Sequence, residues 1–175
     1  MQTEHEVETA PPQAYRWKKW LLFIIVVGVV VALDQGTKQY VDATFNLYES
    51  RPVVEGFFNL TYVRNSGAAF GMLSRQDPKF LRLFFLTVTG LAVFIVTFYY
   101  SRLPWSHRLA LWGLGLIMGG ALGNGIDRYA IGQVIDFLDV YVGDYHWPAF
   151  NVADSAICIG VGLMLINSFR RPVEP

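Results

Sequence analysis

Charge is absent from four long stretches of this chain: residues 20–33, 83–100, 109–126 and 155–169. Aliphatic and aromatic residues dominate each one, and polar, charged segments separate them. A helix needs roughly 20 apolar residues to cross a bilayer. The pattern therefore predicts four membrane-spanning helices, over about 18–38, 80–100, 108–126 and 153–169. The first run reaches spanning length by continuing through Asp34-Gln35-Gly36-Thr37-Lys38. With Arg16, Lys18 and Lys19 before it, that run has the outline of a cleaved signal peptide. No small-residue cleavage site follows, however, and further apolar runs lie downstream, so a retained helix is the better reading. The third run carries Gly113, Gly115, Gly119, Gly120, Gly123 and Gly125, which suit close helix–helix contact in lipid.

Residues 41–79 mix acids, bases and prolines. Within them, 57–63 (F-F-N-L-T-Y-V) has the aromatic and β-branched content of a strand. Asn65-Ser66-Gly67-Ala68-Ala69 follows; its small residues let backbone approach backbone or ligand, and the Asn65 amide both donates and accepts. A plain turn would look the same. Residues 1–15, with Glu4, Glu6, Glu8, Pro11 and Pro12, read as a disordered tail, and 172–175 as a short C-terminal one. The expected fold class is an all-α integral membrane protein, with one domain over 16–171. A length of 175 residues leaves no room for a second domain of ordinary size.

Totals add less than distribution does. The apolar fraction is 53%, the charged fraction 16% and the mean hydropathy +0.34, which an apolar soluble core could also reach. Fourteen basic and fourteen acidic residues cancel, which argues against a nucleic-acid binder held by bulk charge. The single cysteine, Cys158, permits no intrachain disulfide and reads as a small packing residue. His5, His107 and His146 show no metal-ligand spacing, so no metal and no cofactor is expected. Trp17, Trp20, Trp105 and Trp147 fall near predicted span ends, as aromatic belts do.

Four spans put both termini on one side. Arg16/Lys18/Lys19, Arg102/Arg108 and Arg170/Arg171 place that side in the cytoplasm. The other side is not free of bases: Arg51, Arg64, Arg75, Lys79, Arg82 and Arg128 fall there, mixed with acids. This orientation puts 134–154 at the outer face.

That stretch holds four aspartates. Asp136 is flanked by Ile135 and Phe137, and Asp154 opens an apolar run. Neither place is explained by solvation alone. Two carboxylates held close cannot both ionise cheaply, so one keeps a proton at neutral pH. The charged member can then take a proton from water while the other polarises a carbonyl. Seventeen residues separate the two, including the turn-formers Gly143 and Pro148. Asp154 could instead cap the fourth helix, and Asp139 and Asp144 read as solvated loop acids. Asp34 and Lys38, four apart, read as a structural ion pair. Asn124, Asp127 and Arg128 can share one side of the third helix's end.

Five blocks then line up in order: Asp34-Gln35-x-x-Lys38; Asn65-x-Gly67-Ala68-Ala69-Phe70; Gly119-Gly120-Ala121-Leu122-Gly123-Asn124-x-x-Asp127-Arg128; Val134-x-Asp136-Phe137; Phe150-Asn151-x-Ala153-Asp154. Together they resemble the motif set of lipoprotein signal peptidase (signal peptidase II), over residues 34–156. The resemblance implies an intramembrane aspartic endopeptidase that removes the signal peptide of diacylglyceryl-modified prolipoproteins, cutting before the lipidated cysteine. Asp136 and Asp154 would be the catalytic pair. Asn65, Gly67, Asn124, Arg128 and Asn151 would line the site or bind substrate, and Asp34, Lys38 and Asp127 would support it. It also implies an outer-face β-cradle with a short surface helix in 41–79. The setting would be the bacterial cytoplasmic (inner) membrane, with cytoplasmic termini and a periplasmic site. Membrane lipids and cyclic peptide inhibitors of the globomycin type would be further partners, and nucleic acid would not.

Two other classes fit the residues without the resemblance. A proton-coupled transporter or channel would use Asp34, Asp136 and Asp154 as relays. A membrane scaffold would use the polar residues as helix glue. A Gly-x-Gly-Asp protease motif is broken, because Ile126 separates Gly125 from Asp127.

Overall fold

In the computed structural model, which describes residues 13–67 and 77–169, the four charge-free runs become α1 (Gln13–Thr44), α2 (Pro78–Arg102), α3 (Arg108–Ala130) and α4 (Val152–Phe169). All four are long and apolar enough to cross a membrane. Local signals set their ends. Asp77 caps α2 by accepting from the Lys79 amide at 2.7 Å, and Pro78 sits where its missing N–H is not needed. Pro104 then stops α2 one residue after its C-cap, Leu103.

Helix α3 is the axis. Its apolar window is 61% buried, against 22%, 11% and 17% for those of α1, α2 and α4. The glycines explain the close approach. A Cβ on Gly113 would sit 2.8 Å from the Gly160 carbonyl, and one on Gly160 would sit 2.6 Å from the Gly113 carbonyl, so α3 and α4 meet backbone to backbone. A Cβ on Gly119 would fall 2.6 Å from Val30 on α1. Elsewhere the helices turn large apolar side chains outward, among them Ile24, Leu83, Phe94, Phe98, Ile159 and Leu165. Cys158 is exposed with them on α4, so it is not the packing residue expected. An α4 that is apolar all round gives no phase from which to tell inward from outward.

Helix α1 has 32 residues, about 48 Å at the usual rise, well beyond a hydrocarbon layer of roughly 30 Å. It starts at Gln13, inside the stretch read as tail, and runs past Lys38. Its far end carries a small sheet. The strands are β1 (Ser50–Val54), β2 (Phe58–Asn65), β3 (Val134–Val142) and β4 (Tyr145–His146), all antiparallel in the order β1-β2-β3-β4. Val41 from α1 and Phe45 just past its end pack with Tyr62, Ile135 and Phe137 from the sheet. The strand expected at 57–63 is β2; β3 was not anticipated. The short surface helix expected in 41–79 is not among the described residues, and 68–76 lie outside them, as do most of the N-terminal tail (1–12) and 170–175.

Candidate active site

Strand register and one helix cap bring the two aspartates together. In the β2–β3 ladder Asn65 pairs with Val134 and Val63 with Asp136, so Asn65 and Asp136 are diagonal neighbours, within reach of an amide. After β4 the chain folds back onto β3. Phe150 accepts from the Phe137 and Leu138 amides at 3.0 and 2.8 Å and donates to the Leu138 carbonyl at 3.1 Å. The next residue, Asn151, is therefore fixed beside Asp136 and begins α4.

Asn151 and Asp154 form a reciprocal cap. The Asp154 amide donates to Asn151 Oδ1 at 2.9 Å, and the Asn151 amide donates to Asp154 Oδ2 at 3.3 Å. The capping role foreseen for Asp154 is thus real, but Asp154 fills it from the third helical position, and its other oxygen stays available for the site.

Three amides join the carboxylates. Asn65 Nδ2 donates to Asp136 Oδ2 at 3.0 Å, and Asn151 Nδ2 donates to Asp136 Oδ1 at 2.7 Å. Asn124 Nδ2 donates to Asp154 Oδ1 at 2.7 Å. Asn151 Nδ2 also lies 3.2 Å from Asn124 Oδ1, closing a chain from one acid to the other. The amides are oriented from behind. The Gly67 N–H donates to Asn65 Oδ1 at 2.8 Å, which turns the Asn65 nitrogen toward Asp136. Gly67 has φ +92°, and a side chain there would run into the Phe85 ring, so N-x-G is a built turn.

Lys38 does the same for Asn124. Its Nζ donates to Asn124 Oδ1 at 2.9 Å and pairs with Asp34 and Asp127, both at 2.8 Å. Lys38 and Asp34 are fully buried and Asp127 nearly so. Every remaining oxygen is used. Asp34 accepts from the Ala153 amide at 2.9 Å and Asp127 from the Ile135 amide at 3.2 Å. Gln35 Nε2 donates to Asp34, Asp127 and the Gly123 carbonyl at 3.2, 2.9 and 3.1 Å. This cluster therefore pins α1, α3, β3 and α4 to one another directly behind the dyad. Gln35 was not among the candidates, although it sits inside the D-Q-x-x-K block.

Burial differs between the two acids. Asp136 is 2% exposed and Asp154 only half-buried. Burial pushes the Asp136 carboxyl from its ordinary 3.8 up to about 6; the Asn65 amide opposes the rise, the Asp154 charge adds to it, and the Asn151 amide opposes it. Arg128 lies within electrostatic reach of both acids. Its guanidinium sits 4.6 Å from the Phe85 ring centroid, Nη1 makes one long bond to the Asn124 carbonyl at 3.3 Å, and its buried Nε has no partner among the described residues. Asp139, read as a solvated loop acid, is buried instead. It accepts from Asn59 at 2.9 Å and pairs with His146 at 2.8 Å, locking the sheet away from the dyad. No cluster of metal-ligating side chains occurs among the described residues.

Residues 24–170 match the family of Signal peptidase (SPase) II. The chain belongs to the signal peptidase II family. It is 48% identical over 157 residues to the lipoprotein signal peptidase of Syntrophus aciditrophicus (strain SB), covering 90% of this chain and 98% of that one. The same-named protein of Geobacter metallireducens (strain ATCC 53774 / DSM 7210 / GS-15) is 51% identical over 149 residues, 85% and 91% of the two chains. A solved bacterial membrane enzyme superposes with a TM-score of 0.75 at 33% identity, over 87% of this chain and 93% of its own. Membership in the signal peptidase II family makes the chain a membrane peptidase and removes the transporter and scaffold readings. The matched span contains all ten candidate residues.

Proposed function

We propose that this chain is an aspartic endopeptidase that cuts the signal peptide from prolipoproteins, just before a diacylglyceryl-modified cysteine. The observation that carries the reading is the amide-bridged pair Asp136–Asn151–Asn124–Asp154, buried on one side and open on the other. Asp136, held up near 6, keeps the shared proton and hydrogen-bonds the scissile carbonyl. Asp154, closer to solvent, takes a proton from the attacking water. A substrate that excludes water favours the protonated form further. Water adds to the carbonyl carbon while Asp136 gives its proton to the oxygen. Collapse of the tetrahedral adduct returns that proton to Asp136, and Asp154 passes its own to the leaving nitrogen. Arg128, within electrostatic reach of both acids, would offer its guanidinium to substrate carbonyls.

Lys38, Asp34, Asp127 and Gln35 hold the geometry and do not touch substrate. The lipid-exposed flanks of the spans support a site reached from the bilayer, at the end of the bundle the charge pattern assigns to the periplasm of a bacterial inner membrane. The test is cleavage of a synthetic precursor with and without the diacylglyceryl group, products read by mass spectrometry. Cleavage before the modified cysteine, and none of the unmodified peptide, is expected. Equal cleavage of both, or a cut elsewhere, overturns the substrate assignment.

A further inference from the structure

A cavity of about 370 Å³ opens at the dyad end of the bundle, between the start of α2 and the turn after α3, and the proposed cleavage makes no use of it. Sites for small molecules fall in the range of about 300–1,000 Å³. Among the described residues its lining combines apolar Leu81 and Ile131 with two bases, Lys79 and Arg82, and contains no acid. The closest acid in sequence, Asp77, is engaged in capping the Lys79 amide. Arg82 gives one guanidinium nitrogen to the Tyr129 carbonyl, which fixes the side chain and leaves its other N–H groups for a ligand. Neither base has a carboxylate within ion-pair distance among the described residues.

Lys79 and Arg82 are both exposed at this end of α2, where an anionic headgroup can reach them. Leu83, one turn after Lys79 on α2, is 68% exposed, and Ile131 in the lining is 44% exposed, an apolar strip beside the bases. The cavity is thus contiguous with lipid-facing surface. Ser66 and Gln133 add a hydroxyl and an amide to its rim.

We propose that this cavity binds the phosphodiester headgroup of an anionic glycerophospholipid, with Lys79 and Arg82 paired to the phosphate and the acyl chains leaving past Leu83 and Ile131. The Arg82 fork matches two phosphate oxygens. Ser66 and Gln133 suit the hydroxyls of a glycerol headgroup. The apolar strip selects a lipid over a free anion.

The experiment is native mass spectrometry of the full-length protein in detergent micelles with equimolar phosphatidylglycerol and phosphatidylcholine. Wild type should retain phosphatidylglycerol by roughly tenfold or more over phosphatidylcholine. Lys79→Gln with Arg82→Gln should abolish that preference, while Arg51→Gln on β1 should keep it. Raising salt from about 50 to about 500 mM should weaken it. Displacement of the lipid by millimolar inorganic phosphate would reassign the cavity to a free anion and overturn the proposal. So would a wild type without preference, or a double variant that keeps it. If the double variant loses its thermal transition, Lys79→Gln and Arg82→Gln singly supply the comparison; each should weaken the preference, and a folded Arg82→Gln that keeps it in full counts against the assignment.

Discussion

Replacing Lys38 by Met keeps the length of the side chain and removes only its charge and donors. Lys38 Nζ is the common partner of Asp34 and Asp127 at 2.8 Å and of Asn124 at 2.9 Å, in a site with almost no solvent. Removing one member of a buried ion pair costs about 3–5 kcal/mol, because the other charge stays buried and unpaired. Here two carboxylates lose their cation. Protonation of one of them offers partial relief, and their hydrogen bonds from the Ala153 and Ile135 amides and from Gln35 remain. The expected loss is therefore about 3–5 kcal/mol, not twice that. For a chain of this size it corresponds to a fall in Tm of roughly 6–20 °C, read by tryptophan fluorescence during heating in micelles. Lys18→Met, on the exposed face of α1, should move Tm by no more than about 1–2 °C. Adding Asp127→Asn to Lys38→Met should restore part of the loss, since it removes one stranded charge. A drop for Lys38→Met as small as that for Lys18→Met would refute the reasoning, as would a double variant less stable than the single.

Three further outcomes follow from the same contacts. Gly120→Ala drives a Cβ into the Ala153 carbonyl and should destabilise by about 1–3 kcal/mol, whereas Gly28→Ala, with open space around it, should be neutral or stabilising by up to about 1 kcal/mol; paired melting curves separate the two. Asn151→Ser keeps a capping oxygen but strands the buried acceptors of the Asn151 amide on Asp136, Ile135 and Asn124, so thermal melting should show a loss of about 1–3 kcal/mol, and because Ser is too short to bridge to Asp136, cleavage by the folded variant should collapse. Asp136 is protonated below about 6, so the alkaline limb of kcat/KM should fall as pH rises through that value. Asn65→Ala removes a hydrogen bond that favours the carboxylate and should move that limb upward. A limb that stays put or moves down contradicts the assignment. Because the folded carboxyl lies above its ordinary 3.8, this group's contribution to stability is greatest below about 4 and is lost between about 4 and 6.

The four spans were legible because charge-free runs are the strongest signal a sequence carries for a bilayer. The motif blocks picked out side chains that the fold does bring together around Asp136 and Asp154, because their spacing is readable without a structure. Strand β3 was hidden because its first four residues are buried on both faces, which erases the alternation that marks a strand. Asp139 was misread since its partners, Asn59 and His146, arrive through the pairing of β3 with β2 and β4. Nothing local announces such a contact. Lys38 and Asn124 meet across 86 positions, so the ion pair read from spacing proved to be one corner of a larger cluster. Gln35 went unassigned because an uncharged amide within a helix has no distinguishing pattern until its three acceptors are in place.

The central claim is that Asp136 and Asp154 do the chemistry. Its most direct test is cleavage of a lipid-modified precursor by purified Asp136→Asn and Asp154→Asn proteins whose thermal transitions remain cooperative. Each variant should lose at least about a thousandfold in kcat, in line with removal of an essential acid or base. Near-full cleavage by either folded variant would contradict the account.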